Sequence, residues 1–262
     1  MKITVLGCGV STGVPAIGVG WGACDPNDPR NRRRRASVFI EARGSNVLID
    51  TSPDLREQFL DAGITRVDAI AMTHAHADHL HGIDDLRAVN RVMNKPIALY
   101  ADAITLDEIR ERFGYVLADE TAQPPFYRPT LVPHEITGDF AAAGVPFIPF
   151  AQDHGYSKTL GFRIGAFAYS TDVTELDDAA FAALAGIEVW IVDCLRREPH
   201  PTHSHVAKTI EWVARIKPRR AILTHMDHTL DYKALAAELP PGIEPGRDGL
   251  VIELPDPRSA RP

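Results

Sequence analysis

Short apolar runs punctuate this chain, and several of them end on a residue with chemistry to offer. Runs of strand character lie at 3–6, 38–42, 47–50, 69–73, 97–100, 145–150, 161–164, 166–169, 189–193 and 221–224. Helical spacing of apolar positions marks 53–62, 82–89, 103–113, 177–184, 206–216 and 232–238. In 206–216, Val206, Ile210, Val213 and Ile216 fall on one face, and Thr202 or Ser204 stands ready to cap it. Strands come in runs early and helices fall between them later, which predicts packed sheets with outer helices. The proline-rich stretch 123–129 is short enough to be a loop, so 1–262 reads as a single domain. Residues 255–262 are expected to fray.

Composition narrows the class without naming it. Of 262 residues, 45% are hydrophobic and 24% charged, an ordinary globular balance with room for a sizeable core. A net charge of −7 argues against a general nucleic-acid binder. Cys8, Cys24 and Cys194 are too few and too scattered for a disulfide framework. No apolar run approaches the roughly 20 residues of a membrane span. The first eight residues loosely imitate a lipoprotein signal, but the apolar stretch is about five residues, short of a signal core. They read as the first strand, and the protein as cytoplasmic with no membrane partner.

The chemistry concentrates at Thr73-His74-Ala75-His76-Ala77-Asp78-His79, directly after the apolar run 69–72. Three imidazoles and a carboxylate at the end of a buried strand are hard to satisfy by packing, since each buried polar ring needs a partner. They suit zinc, iron or manganese. His74 and His76 point to one side of an extended segment, whereas Asp78 and His79 begin a turn and can address a second point nearby. His154, Asp172 and His225 each close a later apolar run and could converge on the same place. Together these residues fit a two-metal centre, with a bridging carboxylate and an open position for water.

The stretch 73–79 matches the His-x-His-x-Asp-His signature of the metallo-β-lactamase superfamily, and the lone His154, Ser170-Thr171-Asp172 and Leu223-Thr224-His225 follow in matching order. The resemblance spans nearly the whole chain. It implies an α/β fold, a four-layer αββα sandwich with two mixed β-sheets face to face. It also implies one metal on His74, His76 and His154, a second on Asp78, His79 and His225, and Asp172 bridging them. Segment 7–15, the arginine stretch 30–35, Pro201-Thr202-His203 and Thr224-His225-Met226-Asp227-His228 further resemble the phosphoribosyl 1,2-cyclic phosphodiesterase branch. That branch implies a catalytic role for His203 beside the metals, assisting the leaving oxygen. Its members can also carry a structural zinc on cysteines and a histidine matching His228. Here Cys24 and His228 remain, but Val19 and Trp21 stand where thiolates would be needed. Two ligands do not close a tetrahedral site, so structural zinc is not expected.

The expected activity is hydrolysis of a small cyclic or nucleotide-like phosphodiester, such as phosphoribosyl 1,2-cyclic phosphate, with zinc or manganese as the two divalent ions. Two such ions about 3.5–4 Å apart can generate a bridging hydroxide and clamp the oxygens of an in-line displacement, with Asp78 among the catalytic groups. Arg33 and Arg35, together with His203, are the candidates to bind a small phosphorylated substrate. The glycines of 7–13 could present backbone N–H groups to phosphate. Three other functions share the metal motif: a lactone or thioester hydrolase, an RNA-processing nuclease and a metal-binding or sensing module. A homodimer is left open.

Overall fold

The computed structural model describes residues 1–257. Two seven-stranded sheets carry the fold. The first contains β1 (Lys2–Gly7), β2 (Ser37–Ala42), β3 (Ser45–Ile49), β4 (Ala69–Ala71), β5 (Ile97–Ala101), β6 (Leu131–Glu135) and β14 (Val251–Glu253), ordered β14-β1-β2-β3-β4-β5-β6. The second contains β7 (Phe140–Ala142), β8 (Val145–Asp153), β9 (Lys158–Ile164), β10 (Phe167–Ser170), β11 (Val189–Asp193), β12 (Arg220–Thr224) and β13 (Ile243–Pro245). Its order is β13-β12-β11-β10-β9-β8-β7. Each sheet begins at one edge with three antiparallel pairings and ends with three parallel ones.

Alternation along the strands explains the layering. Val38, Ile40, Val47, Ile49, Ala69 and Ala71 face the second sheet and join Phe162, Ile164 and Phe167 in the larger core. Phe39, Leu48 and Ile70 point the other way, into a second core. There they meet α1 (Leu55–Ala62), α3 (Leu86–Met93) and α4 (Ala103–Phe113). Strands buried on both faces read as continuous apolar runs, and β3 and β4 do. On the second sheet, α5 (Asp178–Leu184), α6 (Val206–Ile216) and α7 (Tyr232–Glu238) contribute Phe181, Trp212 and Leu235 to the larger core. This is the αββα sandwich.

All ten expected strands are present. The four that sequence patterning missed, β6, β7, β13 and β14, are the four sheet edges. Edge strands need no continuous apolar run and tolerate proline, and Pro133 and Pro245 sit in two of them. Two helical expectations need correction, and one helix was not expected. Residues 82–89 open as a 3₁₀ turn, Ile83–Asp85, before α3. A short helix, α2 (Ala77–Leu80), forms inside the histidine cluster. The N-cap of α6 is His205 rather than Thr202 or Ser204, and Ser204 Oγ bonds Thr209 Oγ1 at 2.6 Å instead.

The expected fraying is also wrong for residues 255–257. Asp256 pairs with the N-terminal amine at 2.8 Å, and the Pro257 carbonyl accepts from Arg43. Residues 258–262 lie outside the described residues. Among the described residues, no helix is long and apolar enough to cross a membrane.

Candidate metal centre

Parallel pairing brings the C-terminal ends of β3, β4, β10, β11 and β12 to one rim, because each runs the same way as its neighbour in its own sheet. Asp50, Thr73, Asp172, Asp193 and His225 stand at or just past those ends. Asp50, Asp172 and His225 adopt φ of 61°, 53° and 59°. Left-handed backbone costs energy for a side-chain-bearing residue and gathers at functional sites.

The rim assembles two four-residue groups whose ligand-type atoms lie within 4.8 Å of one another: His74, His76, His154 and Asp172, and Asp78, His79, Asp172 and His225. Asp172 divides its oxygens between them. Its Oδ2 faces His74 Nε2 at 3.8 Å and His154 Nε2 at 3.6 Å, while Oδ1 faces His79 Nε2 at 3.0 Å and His225 Nε2 at 3.4 Å. Asp78 Oδ2 lies 3.3 Å from His79 Nε2 and 3.2 Å from His225 Nε2. The seven residues expected to share this duty are therefore brought together.

Neighbouring groups fix how the rings point. Asp50 Oδ2 accepts from His79 Nδ1 at 2.8 Å and from the Thr73 hydroxyl at 2.8 Å. Thr73 Oγ1 in turn accepts from His74 Nδ1 at 3.0 Å. His154 Nδ1 donates to the Thr202 carbonyl at 2.6 Å. Each bond leaves Nε2 facing inward, as oriented metal-binding imidazoles require. His74 Nε2 and His79 Nε2 are buried with no hydrogen-bond partner. Orphaned buried nitrogens aimed into a nest of carboxylates are costly on their own. The donor set therefore fits divalent metal.

Charge coupling agrees. Burial would raise Asp172, but the imidazoles around it, His225 foremost, hold it well below the usual carboxylate range. Asp78 is likewise held low, by His79 and His225 against its burial. Burial would lower His79, yet Asp172, Asp78 and Asp50 push it well above the ordinary imidazole value. His74 goes the opposite way, lowered first by burial and then by the charge of His79.

A third gathering, Asp193, His203 and His225, shares His225 with the second group. Asp193 Oδ2 already accepts from Val173 N, Ser204 N and His203 Nδ1 at 3.1–3.2 Å. It thus orients His203, whose Nε2 reaches to 3.9 Å from Asp172 on the wall of the cleft. Burial would lower His203, but Asp193, with help from Asp172 and Asp78, lifts it to about 9.

The arginine expectation fails. Arg33 is only 1% exposed. Its guanidinium donates to the carbonyls of Asp227 at 3.0 Å and Leu230 at 2.6 Å and to Asn31 Oδ1. Arg35 is tied to Asp54 at 3.1 Å. Neither lines the cleft. Gly9 and Gly13 do not present their N–H groups to phosphate either, because these bond the Arg34 and Val10 carbonyls. Ser11, from the same segment, does line the cleft.

At Cys24 the thiol donates to the carbonyls of His228 and Leu230 at 3.5 Å, with Arg33 beside it at 4.0 Å. Among the described residues, the metal-capable groups do not include Cys24 or His228. A guanidinium organises that loop.

Sequence reading missed Asp50, Asp193, Ser11, Tyr156, Ser157 and Thr202. The two carboxylates had a signal, since each ends an apolar run, 47–49 and 189–192. Ser11 and Thr202 lay within the segments 7–15 and 201–203 singled out above, while Tyr156 and Ser157 had no signal.

Residues 45–226 match the family model described as Beta-lactamase superfamily domain. The chain belongs to the metallo-β-lactamase superfamily. A solved structure described as a new diphosphatase from the PhnP family superposes with a TM-score of 0.89 at 36% identity, covering 98% of each chain. An octanoyltransferase of Porphyromonas gingivalis is 35% identical over 255 residues, 95% of this chain but 51% of its own length. A ribonuclease Z of a Bradyrhizobium species is 25% identical over 139 residues, 52% of this chain and 45% of its own. This superfamily member thus spans about half the length of those two curated relatives.

Proposed function

We propose that the chain is a metal-dependent phosphodiesterase acting on a small phosphodiester, with zinc or manganese as the ions. One ion would be held by His74, His76 and His154, a second by Asp78, His79 and His225, with Asp172 common to both. When bound, such ions supply Lewis acidity and activate water near neutral pH. The observation that carries the phosphate reading is the Asp193–His203 pair. Hydrolysis forms a bond from phosphorus to a water oxygen and breaks the bond to the leaving oxygen, which must gain a proton. Asp193 behind the ring favours the charged form of His203, and the ring faces the cleft, so it can deliver that proton. Asp193 holds the ring in place and steadies the charge it carries. Asp78 contributes by holding the second ion beside His79 and His225 rather than by proton transfer.

The similar PhnP-family diphosphatase supports phosphorus chemistry. The octanoyltransferase name belongs to a protein with about as much chain again, so it does not locate acyl transfer in the matched half. A substrate panel tests the reading with protein loaded with manganese or zinc: bis-p-nitrophenyl phosphate, a 2′,3′-cyclic nucleotide, a homoserine lactone, an octanoyl thioester and nitrocefin. Turnover of the phosphodiesters is expected. Turnover of the lactone, thioester or nitrocefin with neither phosphodiester would sink it.

A further inference from the structure

The cleft above the cluster encloses about 430 Å³, more than a phosphate group needs. Its wall beyond the histidines and carboxylates is made by Ser11, Tyr156, Ser157 and Thr202. Among the described residues, no lysine or arginine lines it. A second phosphate seated against that wall would meet hydroxyls but neither lysine nor arginine, and a desolvated dianion short of countercharge is strongly disfavoured. A neutral group with hydroxyls of its own would instead find both donors and acceptors.

Tyr156 adds a flat surface. It stands on the turn between β8 and β9, 92% exposed, at the mouth of the cleft. The turn is firmly built. Gly155 N donates to Asp153 Oδ1 at 2.6 Å, and His154 N donates to the Ser157 carbonyl at 2.9 Å. Gly155 sits at φ +76°, where a Cβ would come within 2.7 Å of the Pro201 carbonyl oxygen. The turn is thereby pressed against the segment that carries Thr202 and His203. An aromatic ring left facing solvent beside a reactive centre is suited to stacking on a ring of the substrate.

We propose that the cleft takes the organic part of its phosphodiester as a neutral, hydroxyl-bearing ring of the nucleoside class, stacked on Tyr156 and carrying no second phosphate. The proposal rests on the phosphodiesterase reading and narrows it. It departs from the sequence-based expectation that Arg33 and Arg35 bind a phosphorylated substrate, because both arginines are engaged elsewhere.

The test compares adenosine 2′,3′-cyclic phosphate with the same compound bearing a 5′-phosphate, on metal-loaded protein. The unphosphorylated form should show the higher kcat/KM. Tyr156→Ala should raise its KM about 5- to 150-fold, the range of base–aromatic stacking, with kcat little changed. Tyr156→Phe should restore it. Calorimetry supplies a readout independent of turnover: adenosine 3′-monophosphate should bind more tightly than adenosine 3′,5′-bisphosphate, and Tyr156→Ala should weaken the former. Preference for the 5′-phosphorylated compounds, or an unmoved KM and Kd in Tyr156→Ala, would overturn the proposal. Bis-p-nitrophenyl phosphate separates the two failures. If it is hydrolysed while these preferences are absent, only the subsite is wrong; if no phosphodiester is hydrolysed, the parent reading falls.

Discussion

Two histidine–carboxylate pairs stand on opposite sheets of this molecule and are built almost alike. Asp50, just past β3, holds His79 Nδ1 at 2.8 Å and also accepts from the Thr73 backbone and hydroxyl. Asp193, at the end of β11, holds His203 Nδ1 at 3.2 Å and also accepts from Val173 and Ser204. Both carboxylates are fully buried. They differ in what the far nitrogen of the ring meets. His79 Nε2 is sealed against Asp78 and Asp172, whereas His203 opens on the cleft. A carboxylate behind an imidazole sets tautomer and orientation in either case. On the proposed function, the outward side decides whether the ring holds an ion or handles a proton.

Alanine at the two histidines should separate those roles most sharply. His203→Ala should lower kcat by about 10²–10⁴-fold, the span of general acid–base catalysis, with metal content unchanged by mass spectrometry. His79→Ala should lose metal along with activity. Metal loss in His203→Ala would merge the two pairs into one class.

Asparagine at the carboxylates sharpens the contrast at smaller amplitude. Asp50→Asn should weaken metal affinity by about 10–100-fold, the usual cost of disturbing a group behind a ligand. Asp193→Asn should lower turnover and leave affinity nearly intact. Equal affinity losses in both variants would show that Asp193 serves His225 as much as His203.

The smallest effect is a pH dependence of stability in metal-stripped protein. His203 is raised to about 9 by its carboxylates. The folded chain therefore binds this proton more tightly than the unfolded chain. The stabilisation is complete below about pH 6.5 and disappears as pH rises through about 9. Discounted for partial screening to about 1 kcal/mol, it corresponds to a fall in Tm of about 2–4 °C across that window. Asp193→Asn should flatten much of the slope. A slope unchanged by that substitution would mean that another group carries it.

Much of the centre was legible because apolar runs end on its residues: His74 through His79 after β4, and His154, Asp172 and His225 after later strands. Asp50 and Asp193 obey the same rule and were still passed over. A lone carboxylate after a strand is ordinary turn chemistry, and its partners lie across strands or loops that only the fold brings together. The arginines failed for another reason. A sequence records charge but not direction: Arg33 turns inward onto carbonyls, Arg34 pairs with Asp248 and Asp61, and Arg35 with Asp54. The sandwich was legible from its inner strands, while its margins were not, since β6, β7, β13 and β14 lack the continuous burial that writes a pattern.

The span between Asp78 and His225, 147 residues apart and 3.2 Å in contact, also sets a timetable. A ribosome delivers the early histidines long before it delivers the last one. Until β12 has been made and laid beside β11, any ion caught by residues 74–79 lacks His154, Asp172 and His225. On the proposed function, a complete ligand set would form only once both halves of the sandwich have closed.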